Sequence, residues 1–205
     1  MSNNQLHGIE YQNIIRSYFI GVNNIIFSPL ALWDIEAHYD QEFNLPTSIK
    51  VTKNNTVPLS DARRFWEINE AWRLLVGIYE QKTTTEKYFY KLIEFLISQE
   101  EHASLLGNVP FDDVNYFHEK LKEYPVGSHK ECREFAKEHK KTLPDSKIKL
   151  NPKIDSKNQR RLQCSVTLKT LNENILKQET YTEFYRDGDI RQTIKSSQRE
   201  FENKN

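Results

Sequence analysis

The sequence lacks net charge: 29 Lys and Arg balance 29 Asp and Glu over 205 residues. No global field advertises a nucleic acid or a membrane, so any such partner must be met by a local patch. Cysteine is nearly absent. Cys132 and Cys164 show no metal-ligand spacing and cannot build a disulfide framework. The amino-terminal stretch has neither a basic leader nor a small-residue cleavage site, so the expected compartment is a reducing cytoplasm. Long apolar runs are missing too. Even Tyr88 to Ser98 is broken by Lys91 and Glu94, well short of the roughly 18 residues a spanning helix takes, so no membrane passage is expected. Glycine and proline number only 6 and 7 while aromatics reach 12%, which excludes the aromatic-poor composition of disordered chains despite a hydrophobic fraction of 37%. One folded domain over residues 1–205 is expected.

What is present is periodic. Tyr11, Ile14, Ile15, Tyr18 and Phe19 mark one stripe of a helix over Ile9 to Ile20. Leu30 to Ala37 and Thr47 to Lys53 read as two strands joined by a polar, hairpin-like connection. Ser60 and Asp61 cap a helix from Ala62 to about Asn69, and Trp72 to Tyr79 is an apolar run expected of a central strand covered on both faces. Tyr88 to Ser98 reads as a strand, and Asp112 to Tyr124 and Ser128 to Leu143 as helices. Lys147 to Ile154 and Leu162 to Leu171 alternate as strands around a basic loop, and the tail from Gln178 reads as a surface helix.

The chemistry concentrates in Trp33-Asp34-Ile35-Glu36 and Ser48-Ile49-Lys50. Alternation puts Asp34 and Glu36 on one face of the first strand and Ser48 and Lys50 on one face of the second. Pairing of the strands brings carboxylates and an ammonium together. Such a group suits metal-assisted phosphodiester hydrolysis, in which a carboxylate holds Mg²⁺ and a lysine stabilises or deprotonates the attacking water. An ordinary cross-strand charge cluster is the alternative.

Asp34, a hairpin, then Ser48-Ile49-Lys50, continuing to Asp61-Ala-Arg-Arg-Phe65 and Arg73-Leu-Leu-Val-Gly-Ile-Tyr79, resembles the PD-(D/E)xK signature of type II restriction endonucleases over roughly the first hundred residues. The resemblance implies an α/β fold built on a restriction-endonuclease-like core with a mixed central sheet flanked by helices (1–100); the periodicity adds a helical insertion (101–143) and a carboxy-terminal β-hairpin and tail (144–205), expected as the recognition part from its basic residues. It implies Asp34 as metal ligand, the Ile49 carbonyl as backbone ligand, Lys50 as catalytic lysine and Mg²⁺ as cofactor. Trp33 stands where the pattern has proline, and Ser48 replaces its second acid; Glu10, on the first helix, and Glu36 are the candidates to supply the missing charge. It further implies double-stranded DNA as substrate, a homodimer, and a cognate methyltransferase as genetic partner.

From Lys137 to Lys169 ten Lys and Arg face three Asp and Glu, a local excess in a neutral chain. Within it Lys157, Asn158, Gln159, Arg160 and Arg161 carry side chains able to contact guanine and adenine edges, with Lys149 and Lys153 as phosphate contacts. A solvated basic turn is the bland alternative. Arg63 and Arg64 open the helix after the catalytic strand, one to reach phosphate and the other to pair with Glu67. A repair or nicking endonuclease on the same core, and a non-catalytic DNA-binding protein, remain rival functions; the serine at 48 is the best support for the latter.

Overall fold

The computed structural model describes residues 11–13, 15, 16, 31–40, 42–81, 87–157, 159–186 and 189–195, with side chains as far as Tyr181 apart from Lys87. It is an α/β structure with a mixed sheet flanked by helices. The larger sheet joins β1 (Thr47–Thr52), β3 (Trp72–Gln81), β4 (Lys87–Ile97), β7 (Lys177–Arg186) and β8 (Asp189–Lys195), in that spatial order. β1 runs parallel to β3, and every other pair in it is antiparallel. A smaller antiparallel sheet has the order β2 (Thr56–Asp61), β6 (Arg160–Thr167), β5 (Lys149–Ile154).

β3 explains its own apolar run. Trp72, Leu74, Val76 and Ile78 face the main core, which β2, β6 and the helices complete, while Leu75 faces a second core with Tyr11, Ile15, Ile35, Ile49 and Leu92. The second core fixes the amino-terminal helical segment. Tyr11 is stacked on Phe89 at 4.1 Å between ring centroids and lies over Gly77, where any Cβ would run into its ring. A residue without a side chain thus lets that helix approach β3.

The parallel β1–β3 connection is made by β2 and α1 (Ala62–Trp66), capped by Asp61, which accepts from Arg63 N at 3.0 Å and Arg64 N at 3.2 Å. Between β4 and β5 lie α2 (Gln99–Leu106), α3 (Phe111–Glu123) and α4 (His129–Thr142), and α5 (Leu168–Asn174) follows β6. Ser98 and Glu101 form a reciprocal capping box on α2.

Several expectations are corrected. Leu30 itself lies outside the described residues, and within 31–37 only Ile35 pairs, in a single antiparallel bridge to Thr47, after which Ala37–Tyr39 turns as a 3₁₀ helix. The hairpin is reduced to one rung. β2, for which the sequence reading offered no element, is an edge strand, where the N–H missing at Pro58 is tolerated. α1 stops at Trp66 rather than near Asn69, and residues 168–171, expected to extend a strand, begin α5. The tail from Gln178 forms β7 and β8 instead of a helix, in keeping with its Thr, Tyr and Phe content.

Candidate active site

The bridge between Ile35 and Thr47 sets the local geometry. Ile35 N donates to Thr47 O at 3.0 Å and Thr47 N to Ile35 O at 2.8 Å. Two residues on, Ile49 presents its backbone to the same side of β1, but no strand continues opposite it. Its N–H is taken by a side chain instead: Ile49 N donates to Asp34 Oδ2 at 2.7 Å. The same oxygen accepts from Lys50 Nζ at 2.9 Å and Ser48 Oγ at 3.2 Å. Asp34 Oδ1 accepts from Gln12 Nε2 at 2.9 Å, and that amide lies 3.4 Å from the Ile49 carbonyl.

Arg16, one turn beyond Gln12, donates from Nε (3.1 Å) and Nη2 (2.9 Å) to the Asp34 carbonyl. Burial pulls its guanidinium down and Asp34 raises it; the group stays charged in either case. The Asp34–Lys50 pair opens into a cavity of about 400 Å³ walled by Trp33, Leu59, Phe65 and Trp72. Arg16, Lys50 and Arg64 line it against the carboxylates of Asp34 and Asp61, three cations to two anions among the described residues. A bulge between Pro58 and Ser60, with Ser60 in the left-handed region at φ 78°, turns Asp61 toward this space. Cys164 of the smaller sheet is close enough to feel both sides: burial and Asp61 push its thiol up, and Lys50 pulls it down.

Asp34, Ser48, Ile49 and Lys50 are therefore brought together. Glu36 is not: it is the residue before the 3₁₀ turn and does not line the cavity. The break in the strand after Ile35 ends the alternation that would have carried it there. Glu10 and Asn158 lie outside the described residues. Arg64 lines the cavity, whereas Arg63 pairs with Glu119 at 2.9 Å rather than with Glu67. Arg160 is corrected from a base contact to a structural residue. Its side chain is buried, donating to Asp155 O (2.8 Å), Gln159 O (2.9 Å) and Pro125 O (3.2 Å). Lys149, Lys153, Lys157 and Arg161 are exposed and Gln159 is half-buried.

Sequence reasoning missed Gln12, Arg16 and Asp61 as cavity residues. Gln12 and Arg16 stand one turn apart beside the apolar stripe of the first helix, which was the available signal. Among the described residues no three of His, Cys, Asp and Glu come together as a metal-holding group, and no helix is long and apolar enough to cross a membrane. Comparisons with protein-family models, with curated proteins and with solved structures find no match.

Proposed function

We propose that the chain is a type II restriction endonuclease that hydrolyses double-stranded DNA at a specific sequence with Mg²⁺, on a restriction-endonuclease-like core. One observation carries the reading: a carboxylate gripped by a lysine and a backbone N–H beside a free-ended strand, at the mouth of a cavity whose described lining holds three cations and two carboxylates. The donor set suits the ion. Asp34 and the Ile49 carbonyl are hard oxygen ligands, and Mg²⁺ takes one or two carboxylates and keeps several waters. These two groups would hold it, with Glu10 as the candidate for additional charge. When bound, the ion supplies Lewis-acid stabilisation of the phosphoryl oxygens and a more acidic water.

The chain's own residues do the rest. Lys50 Nζ, now on Asp34, is placed to donate to the attacking water or to the developing negative charge on phosphate. Gln12 and Arg16 hold Asp34 from its side chain and its carbonyl, fixing the carboxylate relative to Lys50. Arg64 supplies a second cation for the phosphodiester. Double-stranded DNA as substrate, a homodimer matching a symmetric site, a cytoplasmic setting and a cognate methyltransferase belong to the same proposal.

The test is incubation of the purified protein with bacteriophage DNA and Mg²⁺, with an EDTA control. Discrete fragments that vanish with EDTA are expected; intact DNA, or metal-independent degradation, overturns the reading. A non-catalytic DNA-binding role is favoured by one feature: Asp34, among the described residues the single carboxylate at the Lys50 end of the cavity, already has four donors on it. Binding without cleavage would select it.

A further inference from the structure

The two faces of the β5–β6 hairpin differ. Leu150 and Ile154 of β5 and Leu162 and Cys164 of β6 are buried in the main core. The alternate residues point outward: Lys149, Asn151 and Lys153 from β5, Arg161 and Gln163 from β6. Neither strand contains an acid. Asn151 is fixed by its donations to Ser165 Oγ at 2.7 Å and Lys149 O at 3.1 Å. Lys149, Lys153, Arg161 and Gln163 have no side-chain partner among the described residues.

Lys153 and Arg161 are direct cross-strand neighbours. Like charges in that position destabilise a sheet, and no carboxylate of either strand relieves them. An external anion would. The face also runs on to the candidate active site, because Gln163 is paired with Asp61 of β2, and Asp61 lines the Asp34 cavity.

We infer that the outward face of the β5–β6 ribbon is the surface that reads DNA sequence, entering the major groove with Arg161 and Gln163 against base edges and Lys149 and Lys153 on flanking phosphates. This rests on the nuclease reading of the Asp34 cavity and locates its specificity. The chemistry matches the partner: a guanidinium forks onto guanine O6 and N7, and a primary amide onto adenine N6 and N7. The dimensions match too. Past the last β2 rung, Asp61–Gln163, the sheet narrows to the two strands that carry Lys153 and Arg161; paired strands are spaced about 4.8 Å apart, and the B-form major groove, about 12 Å wide, admits such a two-stranded end, whereas the deep, narrow groove of duplex RNA does not. Recognition thus falls on the sheet face instead of the turn at 155–159, whose Asp155 closes on Lys157 N and Gln159 N and whose neighbour Arg160 faces inward.

The full chain is tested by selecting bound sequences from a randomised DNA duplex pool in Ca²⁺, then measuring anisotropy on the enriched duplex and a scrambled one at several salt concentrations. Wild type is expected to enrich a motif. Arg161→Ala and Gln163→Ala should each lose roughly 5- to 100-fold on the enriched duplex and relax one position of the motif. Arg161→Lys, which keeps the charge, should retain scrambled-duplex affinity but not discrimination. Lys149→Ala and Lys153→Ala should weaken both duplexes equally and reduce the salt slope by about one, while Lys130→Ala on α4 should change nothing.

Thermal melts followed by circular dichroism establish that each variant is folded. The inference is overturned if no motif is enriched, if Arg161→Ala and Gln163→Ala leave discrimination intact, or if duplex RNA competes better than DNA. Its failure is distinct from that of the nuclease reading. Motif binding without metal-dependent cleavage refutes only the latter, and cleavage whose specificity ignores these substitutions refutes only the former.

Discussion

Two charge clusters lie on neighbouring strands, and they share a distance but not an environment. Lys50–Asp34 and Arg73–Asp40 each have an N···O separation of 2.9 Å. The side chains of the first are 16% and 18% exposed, those of the second 3% and 2%. Arg73 also donates from Nε to Glu94, which accepts from Tyr181 OH at 2.8 Å, and its guanidinium lies 4.9 Å from the centre of the Phe43 ring. The Arg73 cluster is closed on itself and joins β3 to β4, β7 and the segment after the 3₁₀ turn. The Lys50 cluster opens on a cavity, so its charges remain available to a ligand. Separation alone does not tell a structural ion pair from a reactive one; burial and what lies beyond the pair do.

The sharpest way to break this contrast is through activity. Asp34→Asn and Lys50→Ala are expected to lower metal-dependent DNA cleavage by roughly 10²–10⁴-fold while keeping the native circular dichroism spectrum. Retained cleavage in either would remove the cavity from the chemistry. The converse holds for stability. Arg73→Met leaves Asp40 and Glu94 buried without their cation and should cost about 3–5 kcal/mol in urea unfolding. Lys50→Met, at the more open pair whose carboxylate keeps three other donors, should cost less than Arg73→Met. Equal losses would erase the distinction between the clusters.

A third buried group sharpens the comparison through pH. His102 accepts from Trp72 Nε1 at 3.3 Å through Nδ1, and its Nε2 stands 3.1 Å from Phe65 O. The neutral ring with its proton on Nε2 satisfies both contacts. Burial brings this imidazole down from 6.5 to about 4. Between those values the unfolded chain binds the proton and the folded chain does not, so this contribution to stability falls as pH drops through the window and levels off below about 4. His102→Gln should be less stable at neutral pH yet lose less on acidification, as denaturation midpoints on either side of the window would reveal. An unchanged slope excludes His102 as the linked group.

The smallest effects are expected at the surface. Arg63→Ala breaks an exposed pair with Glu119 and should cost about 0–1 kcal/mol. Glu36→Gln should leave cleavage at its wild-type rate, since Glu36 does not line the cavity; a large loss there would restore it as the missing acid.

Much of the candidate site was legible because its signals are local. Asp34 and Lys50 stand out as polar residues beside apolar neighbours, Asp61 as a helix cap, and Trp72 to Tyr79 as a doubly covered strand. Glu36 and Arg160 were misread for the same reason. Strict alternation assumes an unbroken strand, and the chain turns after Ile35; a run of cationic residues in a turn does not say which of them points inward.

The sequence by itself determined the alternating and helical periods, the cap at Asp61, the scarcity of cysteine and the basic excess from Lys137 to Lys169. These depend on residues a few positions apart, where backbone geometry dictates the outcome. Only the tertiary structure decided that Gln12 and Arg16 hold Asp34, that β2 is an edge strand despite its proline, and that Arg161 faces out while Arg160 anchors Pro125. The physical reason is that hydrogen bonds across long chain separations are chosen by which strand edges are left unpaired. Ile49, with no strand opposite its N–H, takes the carboxylate of a residue fifteen positions earlier.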